Sequence, residues 1–278
     1  MDAVRLVACD LDGTIVCPDG SISERTLAAL RACESAGIDV VFVTGRPPRW
    51  VPPIAELTGH RGFVICGNGA MLLDLATAQV VEIHPLSPDA VLEVATRLRP
   101  RLPGAVFALE TTTGYRREPE FLPRHEAARL AMAGPLPHLL ADAPEVLKVL
   151  CRLDGGDADS MLEVAREVLD GIAEPVHSNP DGDMLEIAAP GVSKASTLAA
   201  LADRRGMSAR DVVAFGDMPN DVSMLLWAGR GYAMTGGHPQ AVAAAAALAP
   251  PCEQDGVAQV LEGLLAQRTG RSPVGSEP

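Results

Sequence analysis

Three short apolar runs, residues 4–9, 38–43 and 212–215, each stop abruptly in a cluster of small polar and acidic residues. An apolar run this short, with no polar alternation, reads as a strand buried on both faces, as in a parallel sheet covered by helices. The segments between such runs carry helix grammar. Ser23 stands where an N-cap belongs, ahead of Leu27, Leu30 and Cys33, and Gly37 stands where that helix ends. A strand over 63–66 is followed by the Asn68-Gly69 turn signal, an apolar partner at 71–73 and a hairpin edge at 80–83. The same grammar returns late in the chain. Strands are predicted near 184–187, 212–215 and 231–234, and helices over 192–204, 220–227, 239–248 and 257–267. Repeated strand–helix units predict an α/β fold, a parallel sheet with helices on both faces.

The pattern is interrupted in the middle. Around His84-Pro85 the texture changes, and Ser87-Pro88-Asp89 opens a helix with Ser at the cap. Strands are predicted at 105–112, 146–153 and 174–177 and a helix at 159–169, while the Pro- and Gly-rich stretch 113–144 shows no clear period. A length of 278 residues leaves room for about two domains. The organisation expected is therefore a core from 1–83 and 185–268, an inserted mixed α/β domain at 84–184, and a frayed polar tail at 269–278.

Composition excludes several classes. Apolar types make up 47% and charged types 21%, which argues against a disordered chain. The net charge of −13 argues against nucleic acid as a partner. No apolar run reaches 18 residues, so no membrane span is expected, and the start of the chain lacks a basic segment ahead of an apolar one. The six cysteines are scattered without a CxxC pair, so no disulfide framework or zinc site is expected and a reducing cytoplasm is the predicted location. Cys9 and Cys17 are read as packing residues. The six histidines show no metal spacing, and His177 alone is a candidate to face a substrate. Of 23 basic residues only two, Lys148 and Lys194, are lysine.

In open parallel sheets, ligands bind beyond the carboxyl ends of the strands. There the chain places Asp10-Leu11-Asp12-Gly13-Thr14, Thr44-Gly45-Arg46, and Gly216-Asp217 with Asn220-Asp221, while Lys194 opens a nearby helix. Four carboxylates on one rim (Asp10, Asp12, Asp217 and Asp221) cannot all stay ionised without a counter-charge. Mg²⁺ with oxygen ligands supplies one. Thr44, Asn220 and Lys194 are donors in need of an anion, and a phosphate satisfies them together with the metal.

These residues resemble the haloacid dehalogenase superfamily. Asp10–Thr14 matches its DxDGT motif, and Thr44, Lys194 and the GDMPND stretch at 216–221 match the other three motifs in order. The insert resembles a subclass IIB cap, and Asn68-Gly69-Ala70 with LEIAAPGVSK at 185–194 is similar to the Cof-type sugar-phosphatase group. The resemblance implies a Rossmann-like core with an inserted α/β cap. It also implies a Mg²⁺-dependent phosphatase acting on small phosphomonoesters through an aspartyl-phosphate. Asp10 is then the nucleophile, Asp12 the general acid and base, and Lys194 the counter-charge. Thr44, Gly45, Arg46 and Asn220 bind phosphate. The metal lies on Asp10, the main-chain carbonyl of Asp12, and Asp217. Asp221 anchors Lys194 or a metal-bound water. A phosphomutase or a non-catalytic phosphometabolite sensor would keep the same motifs. Met218-Pro219 and Thr235-Gly236-Gly237 depart from the usual pattern. Arg116 and Arg117 are candidates for a second anionic group on the substrate, against a plain solvated loop. Monomer and homodimer both remain open.

Overall fold

The computed structural model describes residues 4–122, 131–179 and 182–269. Its strands are β1 (Leu6–Cys9), β2 (Asp39–Val43), β3 (Phe63–Cys66), β4 (Met71–Asp74), β5 (Gln79–Ile83), β6 (Val106–Thr111), β7 (Tyr115–Arg117), β8 (Met132–Ala133), β9 (Val146–Arg152), β10 (Glu174–Val176), β11 (Met184–Ala188), β12 (Val212–Gly216), β13 (Arg230–Met234) and β14 (Ala247–Ala249). Its helices are α1 (Glu24–Ser35), α2 (Val51–Thr58), α3 (Pro88–Leu98), α4 (Leu136–Leu140), α5 (Ala158–Val168), α6 (Lys194–Arg204), α7 (Val222–Trp227), α8 (Pro239–Ala244) and α9 (Gly256–Thr269).

Two sheets organise the described residues. The first has the order β14-β13-β12-β1-β2-β3-β4-β5, parallel from β14 to β3 and closed by the antiparallel hairpin β4–β5. Side chains alternate faces along a strand, and here both faces are covered. In β1, Val7 and Cys9 pack toward one apolar cluster with Leu30 of α1 and Leu261 of α9. Leu6 and Ala8 pack toward another, with Leu198 of α6 and Met224 of α7. All four β1 side chains are fully buried. This explains the unbroken apolar runs, and the expected α/β class is what the chain adopts. Because β1 lies between β2 and β12, the sheet order reverses at β1, and a crevice opens at that end.

The second sheet has the order β10-β11-β9-β6-β7-β8 and is antiparallel except for the β7–β8 pair. Leu147, Val149 and Cys151 of β9 and Leu185 and Ile187 of β11 face α3 and α5. The even-numbered Lys148, Leu150, Arg152, Met184 and Glu186 face the core instead, lining a cavity between the two sheets. This sheet is the expected cap.

Several particulars differ from expectation. Strand β11 pairs with β9 and β10, so the boundary expected at 184/185 cuts through a strand of the cap sheet. The Ala-rich segment expected as one helix over 239–248 stops at Ala244, and Ala247–Ala249 adds an edge strand beside β13. The 113–144 stretch holds β7, β8 and α4 in its described part, while His125 and the tail beyond residue 269 lie outside the described residues. Cys17 and Cys252 form a disulfide, with Cα atoms 5.6 Å apart. This corrects the reading of Cys17 as packing and the expectation of no disulfide. The pair is 235 residues apart in sequence, and only the tertiary fold brings it together. The packing of α9 on α1, with Arg25 bidentate on Glu262, closes that distance.

Candidate active site

Strand register sets the site. Cys9 pairs with Phe42 on one side and Phe215 on the other, so the residues that follow each strand emerge side by side. The Asp10 N–H still donates to the Phe215 carbonyl at 3.0 Å, which holds the nucleophile candidate at the last rung of the ladder. Gly13 then turns the chain with φ +79°, and a Cβ there would lie 2.2 Å from Asp217 Oδ2. The position accepts only glycine, both for backbone conformation and for space.

Lys194 is the first residue of α6, behind a Ser193–Ser196 capping box, and it is fully buried. Its ammonium donates to Asp10 Oδ1 at 2.5 Å and to Asp221 Oδ1 at 2.6 Å. Burial alone would push this amine down, but the two carboxylates more than offset it and hold its pKa well up. The second oxygen of Asp221 accepts the main-chain N–H groups of Asp217 and Met218, each at 3.0 Å. The departure at Met218-Pro219 therefore leaves the loop anchored, with Pro219 at the first position of a short 3-10 turn over Pro219–Asp221.

Asp10, Asp217 and Asp221 offer oxygens that all lie within 4.8 Å of one another, a possible acidic metal-binding group. Burial, and after it the charge of Asp221, pushes the Asp10 carboxyl well up despite Lys194. The same causes bring Asp217 to about 7. Asp217 Oδ1 is buried and has no hydrogen-bond partner among the described residues. A crowded carboxylate group with one unpartnered oxygen is the donor set a hard divalent cation fits.

The remaining expected residues divide. Thr44 is buried, and its Oγ1 accepts the Arg46 N–H at 3.0 Å. The Asp12 side chain is 59% exposed and lies outside the three-carboxylate group. Arg46 grips it bidentately, at 2.8 and 2.5 Å. The Gly45 carbonyl accepts from Lys148 Nζ at 2.6 Å. Asn220 donates through Nδ2 to Asn68 Oδ1 at 3.0 Å. Asp10, Asp12, Gly45, Arg46 and Asn220 all line a cavity of about 880 Å³ between core and cap.

Three residues were not among the expected site residues, although Asn68 and Lys148 stood out in the sequence for other reasons. Lys148, Glu186 and Asn68 are each about 5% exposed or less and join one another at the cavity wall. The rarity of lysine that singled out Lys194 applied equally to Lys148. Other candidates leave the site. Arg116 holds the carbonyls of Leu139 and Asp142, and Arg117 those of Glu118 and Pro119, so both brace the cap backbone. His177 bonds to Asp159, as does His238, outside the cavity; their grouping crosses too much sequence for any spacing rule to reveal.

An α/β core with a switch-point crevice, an acidic group paired with a buried lysine, and a cap over the cavity together define a hydrolase with an inserted cap. The chain belongs to the haloacid dehalogenase-like hydrolase family, whose model matches residues 7–261. It is similar to an HMP-PP phosphatase of Enterobacter sp. (strain 638), 28% identical over 243 residues, covering 86% of this chain and 87% of that one. Its fold is similar to a haloacid dehalogenase-like hydrolase from Bacteroides thetaiotaomicron, with TM-score 0.72 and 26% identity over 93% of this chain and 98% of the other. It is also similar in fold to a subclass IIB sugar phosphatase, with TM-score 0.78 and 19% identity over 96% and 99% of the two chains. The enzyme is a phosphatase of this family, as the resemblance implied.

Proposed function

We propose that the enzyme is Mg²⁺-dependent and hydrolyses small phosphomonoesters, sugar phosphates or related metabolites, through a phosphorylated Asp10. The observation that carries this reading is the meeting of Asp10, Lys194, Asp217 and Asp221 at the strand ends, beside a cavity the cap closes. Lys194 holds Oδ1 of Asp10, and the carboxylate attacks phosphorus as the ester oxygen departs. Asp12 gives that oxygen its proton and later takes one from the water that hydrolyses the aspartyl-phosphate. For this, the Asp12 carboxyl exchanges its Arg46 partner for the substrate, and Arg46 becomes a donor to phosphate. Thr44 and Asn220 orient the phosphate oxygens. Asp10, Asp217 and the main-chain carbonyl of Asp12 would hold Mg²⁺, which neutralises charge at the phosphate when bound. Asp221, with both oxygens engaged, anchors Lys194 and the 217–218 loop.

The cap side of the cavity, with Tyr115, Phe121, Leu150 and Met184, favours an organic leaving group with an apolar face. The Cys17–Cys252 disulfide removes the argument for a reducing cytoplasm, and no described helix is long and apolar enough to cross a membrane. The cavity lies within one chain, which suits a monomer or a homodimer equally.

The test is phosphate release from a panel of sugar phosphates, other small phosphomonoesters and HMP-PP, with and without Mg²⁺, beside Asp10→Asn. Turnover that needs Mg²⁺ and vanishes in the variant is the expected result. Equal turnover by Asp10→Asn would overturn the nucleophile assignment.

A further inference from the structure

A chain of polar groups leaves the cavity wall, crosses from cap to core, and ends on the phosphate-binding candidate Asn220. Lys148 of β9 donates to Glu186 of β11 and to the Gly45 carbonyl. Ser178 Oγ donates to the other oxygen of Glu186. Glu186 Oε2 accepts Asn68 Nδ2 at 2.9 Å, and Asn68 Oδ1 accepts Asn220 Nδ2 at 3.0 Å. The polarity of this chain is dictated from its cap end. An ionised carboxylate only accepts, so Asn68 must turn its NH₂ toward Glu186. Its carbonyl then faces Asn220, which must answer with its own NH₂. The Asn220 Oδ1 consequently lies buried without a partner among the described residues. Turned over, the Asn220 amide would set its oxygen against Asn68 Oδ1, so the chain holds it as it is. Asn68 is itself pinned by its backbone, at φ 59° in the left-handed region that asparagine tolerates well.

We propose that Glu186, charge-balanced by Lys148, is a positioning residue. Through Asn68 it fixes which face of the Asn220 amide is presented at the phosphate end of the cavity. Glu186 never touches phosphate in this scheme. One N–H of Asn220 is spent on Asn68, and the second is held for a phosphate oxygen. Because Lys148 also binds the carbonyl beside Thr44, seating the cap sheet aligns two phosphate-binding segments together. The proposal rests on the phosphatase reading above.

The test compares wild type with Glu186→Gln, Asn68→Gly and the double variant Lys148→Met/Glu186→Gln, all as full-length protein with Mg²⁺. Inorganic phosphate affinity is measured by calorimetry, and kcat and KM are measured on two substrates with different leaving groups. Asn68→Gly keeps the left-handed backbone while cutting the chain. Phosphate affinity is expected to fall about tenfold in Asn68→Gly, and by less in Glu186→Gln, whose amide oxygen still accepts from Asn68. KM should rise by the same factor on both substrates, because the chain ends on the phosphate. Thermal melts confirm folding, and the double variant keeps the fold through an uncharged pair. Phosphate affinity within twofold of wild type in folded Asn68→Gly would overturn the proposal. So would a loss that follows the leaving group, since that marks a direct specificity contact. A wild type that neither binds phosphate nor turns over would overturn the phosphatase reading itself, and the proposal with it.

Discussion

Among the described residues, polar contacts join cap and core at the cavity, where Arg49 also pairs with Glu110, and away from it, and the two seams differ in depth. At the cavity, Lys148 and Glu186 sit with side chains 5% and 6% exposed and reach Gly45 and Asn68 of the core. Away from the cavity, Asp159 of α5 is 45% exposed and takes one imidazole on each oxygen. His177, just after β10, bonds to it at 3.0 Å and His238, at the head of α8, at 2.9 Å. The Gln240 N–H donates to His238 Nδ1, so the proton of that ring is on Nε2 and points to Asp159. Both seams hold a carboxylate below its ordinary range, for different reasons. Burial would push Glu186 up, and Lys148 overrides it. Asp159 is lowered first by its hydrogen bond from His177, which with that from His238 outweighs the upward push of partial burial. One link is therefore costly to break by halves; the other joins an exposed carboxylate to two buried imidazoles, His177 and His238, with side chains 0% and 8% exposed.

The sharpest test of that contrast is Lys148→Met alone. It strands a buried carboxylate, and removing one partner of such a pair costs about 3–5 kcal/mol. Urea unfolding should show a loss of that size, and Lys148→Met/Glu186→Gln should recover most of it. A single variant as stable as wild type would mean that water reaches Glu186, and the two seams would then be alike.

The disulfide supplies an intermediate scale. Cys17–Cys252 ties two parts of the core and does not cross either seam. Cys17→Ser/Cys252→Ser is expected to cost about 2–4 kcal/mol, as closing a long loop does. Inorganic phosphate affinity should stay within twofold. A fall in phosphate affinity as large as that of Asn68→Gly would show that stability loss anywhere loosens the site, and the cavity seam would lose its special standing.

What the sequence reveals follows the same division between core and cap. Residues 6–9, 39–43 and 212–216 are apolar on both faces because helices cover both, and a strand of that kind announces itself. Asp10, Thr44 and Asp217 follow from it, since strand ends are where such sheets bind ligands. The cap strand VLKVLCR hides its period. Leu150 is apolar yet faces the cavity between Lys148 and Arg152, so alternation is blurred where it would have exposed Lys148. Glu186 is masked likewise inside MLEIA. Alanine decides little by itself, and pairing with β13 made a strand of 247–249 where composition suggested helix. The Cys17–Cys252 pair and the Asp159 cluster join residues remote in sequence, which no local pattern encodes.

The smallest effect expected belongs to the peripheral seam, and its sign is fixed by Asp159. A carboxyl whose folded pKa lies below its unfolded value stabilises the fold above that unfolded value of 3.8 and loses the contribution as pH falls through the folded one. Asp159→Asn removes the charge and one of the two acceptors. Because the group is half exposed, solvent screening keeps the loss to about 1 kcal/mol or less. Urea unfolding of wild type and variant should show that gap at pH 7 and its closing below 3.8, where the wild-type carboxyl also becomes protonated. Phosphate affinity of the variant should stay within twofold of wild type at each pH, although the His238 main-chain N–H donates to the Asp217 carbonyl in the loop that carries Asn220. A variant that loses phosphate affinity along with stability would join the two seams into one mechanism, with the cap seated as a rigid unit. A variant that loses stability alone would leave the orientation of Asn220 to the buried chain through Glu186 and Asn68.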